Sequence, residues 1–144
     1  MKLISDSRFL EELWAVERDC FGDSWTQDIL HSELSGALSL CCTEQRGGKI
    51  AAFALGRVVA DEGELFQIGT LTEFRGQGIA EGLLRRLHAE MLRRGAKTCF
   101  LEVRSKNSAA IALYQKLGYT QIGIRRGYYP DDDAIVMKTE LFTD

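Results

Sequence analysis

Several stretches of this 144-residue chain hold residue types that can bind an anion or move a proton. The first is Arg75-Gly76-Gln77-Gly78-Ile79-Ala80, set between a strand-like run, Leu65–Leu71, and a helix-like run, Glu81–Arg94. A glycine-rich turn that opens a helix leaves several N–H groups without partners, aimed at one spot. With the positive end of the helix dipole they attract phosphate oxygens. Neither common nucleotide motif fits: G-x-G-x-x-G needs glycine where Glu81 stands, and the P-loop lysine is missing. An ordinary strand-to-helix turn would use the same residues. Glu102 is the only acid in the apolar run Thr98–Val103, either a proton acceptor or an outward-facing surface residue. Tyr114 is either a proton donor or a helix tyrosine packed on the core. Asn107 is a natural helix N-cap. Tyr128 and Tyr129 form an aromatic pair, as a ligand clamp or as a strand end with one ring in and one out.

Other chemistries find little support. Cys20, Cys41, Cys42 and Cys99 show no C-x-x-C spacing and sit in apolar segments, as small buried hydrophobes would. No metal site is expected. His31 and His88 fall on polar faces of expected helices and read as surface residues, so no cysteine has a histidine to activate it. A net charge of −3 argues against a nucleic-acid binder working through phosphate contacts. No apolar run approaches the roughly 20 residues that cross a bilayer, and the N-terminus lacks a signal-peptide pattern. A cytoplasmic protein with no membrane partner is expected. With 45% hydrophobic and 27% charged residues, one globular domain over 1–144 is the simplest organisation.

The elements that must position these residues follow from periodicity. Ser7–Asp19 has one apolar stripe, and Ser24-Trp25-Thr26-Gln27 reads as a capping box for a short helix to Leu34. Leu38–Glu44 and Lys49–Val59 are strand-like about the turn Gln45–Gly48; Asp61–Glu64 reads as a second turn before Leu65–Leu71. Ala80, Leu83, Leu84, Leu87 and Met91 repeat at helical steps, and Gly95 reads as a left-handed cap. Thr98–Val103 is a strand, Ser108–Leu117 a helix closed by Gly118, and Tyr119–Arg126 with Ala134–Glu140 a final strand pair around Pro130. The predicted class is α/β (α+β): a mixed, mostly antiparallel sheet with one parallel pair and about four helices.

The pattern R-x-x-G-x-A at Arg75–Ala80 resembles the pyrophosphate loop of the GNAT acetyltransferases. Leu101-Glu102-Val103-Arg104, followed by Asn107 through Tyr119, is more specific. It resembles the L-E-V-R … N-x-x-A-x-x-L-Y-x-x-x-G-[FY] block of protein N-terminal acetyltransferases, and within them the ribosomal-protein alanine branch. Arg126-Gly127-Tyr128-Tyr129-Pro130 resembles their peptide-entrance loop, and the likeness spans essentially the whole chain. Three positions depart from the family pattern: Thr70-Leu71-Thr72 replaces V-x-P, Ala80 replaces the last loop glycine, and Ser24 replaces the proline before Trp25.

The resemblance implies the GNAT fold, with the parallel pair splayed around acetyl-CoA as cosubstrate. It implies acetylation of a protein N-terminus, that of a small-subunit ribosomal protein beginning with alanine. Ile68, Gly69 and Thr70 would offer backbone groups to the pantetheine arm. Arg75, Gly76, Gln77, Gly78, Ile79, Ala80 and Glu81 would wrap the pyrophosphate, and the Asn107 amide would reach the cofactor. Glu102 would act as base, Tyr114 as acid, and Tyr128 and Tyr129 as peptide clamps. Asp131-Asp132-Asp133 reads as a solvated turn, or as a segment in which one aspartate meets a basic residue behind the substrate's amino terminus. Two other functions compete: a GNAT enzyme for a small-molecule amine or lysine side chain, and a non-catalytic acyl-CoA-binding module. The tyrosine pair speaks against the first, and the presence of Glu102 and Tyr114 against the second.

Overall fold

A computed structural model describes residues 7–22 and 26–142. In chain order the elements are α1 (Ser7–Phe21), α2 (Gln27–Leu34), β1 (Ser39–Arg46), β2 (Lys49–Val59), β3 (Glu62–Thr70), α3 (Ile79–Arg93), β4 (Thr98–Arg104), α4 (Ser108–Lys116), β5 (Thr120–Tyr129) and β6 (Asp132–Glu140). A single 3-10 turn, Thr72–Phe74, joins β3 to the glycine loop. Six strands form one sheet in the order β1-β2-β3-β4-β6-β5. Every neighbouring pair is antiparallel except β3 and β4, as expected of the class.

Each sheet face carries its own core. Ile79, Leu83, Leu84, Leu87 and Met91 of α3 pack on Leu40, Ala52, Ala54, Leu65, Leu101 and Met137. On the other face, Phe9, Leu13 and Val16 of α1 and Leu30 and Leu34 of α2 cover Cys41, Ile50, Phe53 and Leu55. Strand alternation sends successive side chains to the two cores.

The parallel pair defines the site. β3 and β4 are in register only from Glu62↔Thr98 to Leu65↔Leu101. Beyond Leu65 the two strands part, and β3 stays paired with β2 as far as Thr70. A bulge on β3 opposite Leu55 and Gly56 adds the twist that turns this half away.

Some boundaries differ from expectation. The second turn is Ala60-Asp61, not Asp61–Glu64. Gly63 lies within β3, where a Cβ would stand 2.7 Å from Met91 Sδ. That glycine serves helix packing, and Ala60 takes the left-handed conformation at φ 55°. The second helix is capped by Thr26, whose Oγ1 accepts from Ile29 N–H at 3.1 Å. The expected capping residue, Ser24, and Trp25 lie outside the described residues. The final hairpin is longer than expected, because Tyr128 and Tyr129 continue β5 and Asp132 already belongs to β6.

Candidate active site

The glycine loop forms the cradle that its composition suggests. Gly76 and Gly78 have φ of 80° and 76°, a region that side chains rarely enter, and an added Cβ at Gly78 would meet no protein atom within 4 Å. Gly78 caps α3, which begins at Ile79, two residues before the expected Glu81. The helix's first main-chain bond runs from Gly82 N–H to Gly78 O, at 3.3 Å, so the N–H groups of residues 79–81 precede the intrahelical ladder. A cavity of about 220 Å³ lies against them, lined by Thr70, Phe74, Arg75, Gly76, Gly78, Ile79, Ala80, Glu81 and Leu113. Open space above left-handed glycines, a helix N-terminus and unpaired donors fit a pyrophosphate.

Two loop side chains are tied elsewhere. Arg75 folds inward: its Nε donates to Thr70 O at 2.9 Å, and its guanidinium stands 3.5 Å from Cys20 Sγ and 3.7 Å from Asp19. The Glu81 carboxylate is paired with Lys116 at 2.7 Å and Arg85 at 3.3 Å, which leaves the backbone N–H groups as the loop's open donors. Thr72, at the family's proline position, supplies an N–H and a hydroxyl that both donate to Asp19 Oδ2, at 2.7 and 2.9 Å. These bonds hold the Asp19 carboxyl below its usual range, Thr72 first and Arg75 last. Asp19, at the end of α1, therefore hooks that helix to the loop, a contact across 53 residues with no local sequence signal.

Just past the end of β3, Leu71 N–H donates to Ala51 O on the β2 side. Alternation turns the backbone of Gly69 toward β2 as well, and that of Ile68 and Thr70 toward the splay. Gly69 answers a packing need: a Cβ there would lie 2.7 Å from Cys20 Sγ. Asn107 caps α4, its Oδ1 accepting from Ala110 N–H at 3.1 Å.

Glu102 and the tyrosines gather on the far side of the splay. Glu102 Oε1 meets Arg125 Nε at 3.2 Å, whereas Oε2 is buried without a hydrogen-bond partner. Tyr114 is buried, and burial, with lesser effects of Tyr129 and Cys99, pushes its phenol up to about 12. It therefore holds its proton throughout the neutral range. Tyr128 and Tyr129 meet edge to face at 5.0 Å. Arg104 lies 4.1 Å over the Tyr129 ring, and Arg125 stands 5.6 Å from the Tyr128 ring. Burial, and next Tyr128, raises the Tyr129 phenol, while the Arg104 guanidinium over its ring opposes the shift.

Two expectations need correction. The three aspartates are a brace rather than a free solvated turn. Asp131 pairs with Arg104 at 2.5 Å, Asp132 accepts from Ser105 Oγ and from Lys106 N–H at 2.9 Å, and Asp133 accepts from Gly127 N–H at 2.8 Å. His88 is half-buried, its Nε2 2.7 Å from the Tyr119 hydroxyl, and burial pulls its ring down to about 4. Its partner Tyr119 packs 5.7 Å from Tyr114, so the pair backs the candidate acid. The helical polar face was legible in sequence; the buried phenol beneath it was not.

The sequence pattern of the acetyltransferase (GNAT) family matches residues 7–119. The ribosomal protein bS18-alanine N-acetyltransferase of Escherichia coli K12 is 47% identical over 132 residues, 89% of this chain and 88% of the relative. The crystal structure of the ribosomal-protein-S18-alanine N-acetyltransferase from Escherichia coli superposes with a TM-score of 0.88, covering 96% of this chain and 92% of that one, at 36% identity. The NatC complex bound to Gag peptide and CoA shares the fold at a TM-score of 0.85 and 19% identity, over 98% and 96% of the two chains.

Proposed function

From the premise that the chain belongs to the GNAT family of acetyltransferases, we propose that it transfers acetyl from acetyl-CoA to the N-terminal alanine of ribosomal protein bS18. What carries the reading is the overlap with the bS18-alanine acetyltransferases, which runs through both the glycine loop and the Glu102–Tyr114 block. The substrate is cytoplasmic, and the enzyme works there too. No described helix is long and apolar enough to cross a membrane.

Each residue has a task in this reaction. Main-chain N–H groups of residues 76–81 hold the pyrophosphate, and Arg75 keeps the loop in shape. Backbone groups of Ile68 and Thr70 line the pantetheine arm, beside Gly69 and the Asn107 amide. Bound there, acetyl-CoA supplies an activated carbonyl and a thiolate leaving group. Attack needs a free amine, whereas an α-amine of pKa about 8 arrives mostly as ammonium and is only about one-tenth neutral at pH 7. Glu102 Oε2 accepts a proton from the attacking nitrogen. Tyr114, still protonated, gives its proton to the departing sulfur. Attack is direct, without a covalent enzyme intermediate. Tyr128 and Tyr129 narrow the entrance so that a chain end passes and an internal lysine, flanked by backbone on both sides, does not.

The test is mass spectrometry of peptides incubated with acetyl-CoA: some beginning Ala-Arg, Ser or Met, and one whose only amines are lysines. Acetylation is expected on the α-amine of the Ala-Arg peptide. Phe at Tyr128 or Tyr129 should raise the peptide's KM roughly fivefold, the worth of one hydrogen bond. Equal modification of lysine amines would move the small-amine reading ahead.

A further inference from the structure

The buried side-chain polar atoms without a hydrogen-bond partner, among the described residues, are Glu17 Oε1 and Oε2, Gln67 Oε1, Glu102 Oε2 and Arg57 Nε. Native folds leave few such atoms, and each calls for a reason. Four of the five are acceptors, and the residues that bear them share one face of the sheet. Leu65 and Leu101 are in register across the parallel pair and both belong to the α3 core, so Glu102 points to the opposite face. Gln67 pairs with Leu55, part of the core under α1. Glu17 follows Val16 on α1 and is sealed at 0% exposure, its carboxyl facing the Gln67 side chain. Gln67 also lies beyond Leu65, in the half of β3 that has parted from β4. A group of acceptors at the splay suits a ligand made of donors, which an ammonium and its bridging water are.

We propose that Glu17 is a second proton-accepting carboxylate of the transfer reaction, taking the first proton of the acceptor ammonium through a water held at Gln67 Oε1, while Glu102 takes the second. Two protons must leave an ammonium that becomes an amide, and two carboxylates divide that work. The ammonium gives one proton to Glu17. The freed lone pair forms the C–N bond at the thioester carbonyl as the C–S bond breaks. Glu102 takes the second N–H proton, Tyr114 protonates the sulfur, and the proton on Glu102 restores Tyr114. Glu17 returns its proton to solvent as product leaves, which is the one proton the overall reaction releases.

Burial pushes the Glu17 carboxyl up to about 7, with the Gln67 side chain opposing, so it exchanges a proton near neutrality. Of the charged groups on the elements packed around it, most are engaged or exposed, and Arg57 Nε is the one buried side-chain donor without a partner among the described residues. Arg57 on β2 pairs with Glu64 of β3 at 3.2 Å, Arg18 stands over the Trp14 ring, and Asp19 holds Thr72 and Arg75. The Cys20 thiol donates to Thr70 O at 3.2 Å. On α2, Asp28 and His31 are exposed and Glu33 half-buried. Glu102, by contrast, already has a cation in Arg125.

The inference rests on an ammonium acceptor, as in the reading above. Its test is the pH dependence of kcat/KM, from pH 6 to 9.5, for the parent and Glu17→Gln on the Ala-Arg peptide. Because about a tenth of an α-amine is neutral at pH 7, the variant should lose roughly tenfold there and converge on the parent above pH 9. The KM for acetyl-CoA should not move. In the ligand-free proteins, the thermal midpoint of the variant should gain on the parent as pH rises from 4.5 to 7, where a buried raised carboxyl must ionise. An activity ratio that is flat with pH, or a midpoint difference that is flat with pH, overturns the proposal. If the variant does not fold, Glu17→Asp, which withdraws the carboxyl by one methylene, is expected to show the same pH-limited loss, and a flat ratio overturns the idea equally. A parent inactive on the peptide but active on another amine fails the α-amine reading alone, and the same pH series on that amine then decides the role of Glu17.

Discussion

Glu102 and Tyr114, the proposed base and acid, sit in different environments. Burial leaves the phenol protonated, while the carboxylate has one oxygen held by Arg125 and one free. The free oxygen is the one that can accept a proton. Glu102→Gln keeps the shape and removes that capacity, so turnover should fall on the order of a hundredfold. If Glu102 serves the attack itself, the loss should persist above pH 9, unlike that of Glu17→Gln. Calorimetry of acetyl-CoA binding should find the parent affinity; parental turnover would show that Glu102 is not the base. The residue types were legible in sequence. Arg125 was not, because it reaches Glu102 only through the β4–β6–β5 pairing.

At the scale of elements, α1 is fastened to β3 and the segment leading into the glycine loop by two devices. Asp19 caps Thr72, and Cys20 lies in the space that Gly69 leaves open. A Cβ at residue 69 would push α1 away from β3, since the sulfur would be 2.7 Å away. Gly69→Ala should therefore destabilise the protein by about 1–3 kcal/mol, as overpacking does. Adding Cys20→Ala should restore part of that loss, and chemical denaturation of the single and double variants reads both. Equal stability of the two would mean that the helix end is not seated on the strand. Because Asp19 also orders the loop, Gly69→Ala should weaken acetyl-CoA binding as well.

The whole molecule sets two buried groups titrating against each other. His88 is held at about 4 against an ordinary 6.5, so the unfolded chain binds more protons between those values and stability is lost as pH falls through that window. Glu17 works the other way. Its carboxyl is raised to about 7 from 4.5, the folded chain binds more protons in that range, and stability is lost as pH rises through it. Replacing the pair His88→Leu with Tyr119→Phe removes the histidine without orphaning the phenol. Relative to the parent, the double variant should gain thermal stability steadily from pH 6.5 down to 4. A constant difference across that range would show that His88 is not kept neutral by the fold.

Local chemistry was open to reading because it depends on near neighbours. Helix and strand periodicity, the φ > 0 glycines that start α3 and the Asn107 cap all follow from spacing within a few positions. The mixed sheet with one parallel pair followed too, since a helix between two strands forces a crossover. Contacts between distant segments were decided only on folding. Gly63 marks a turn by composition yet sits in β3 because Met91 needs the room, and the aspartates brace the hairpin because β4 delivers Arg104 and Ser105 to them. The burial of Glu17 and His88 belongs to the same class: an amphipathic stripe shows which side of a helix is polar, but not whether another element will cover it. Solvent access and the proton affinity that depends on it are properties of the packed molecule, set by contacts that no local stretch of sequence contains.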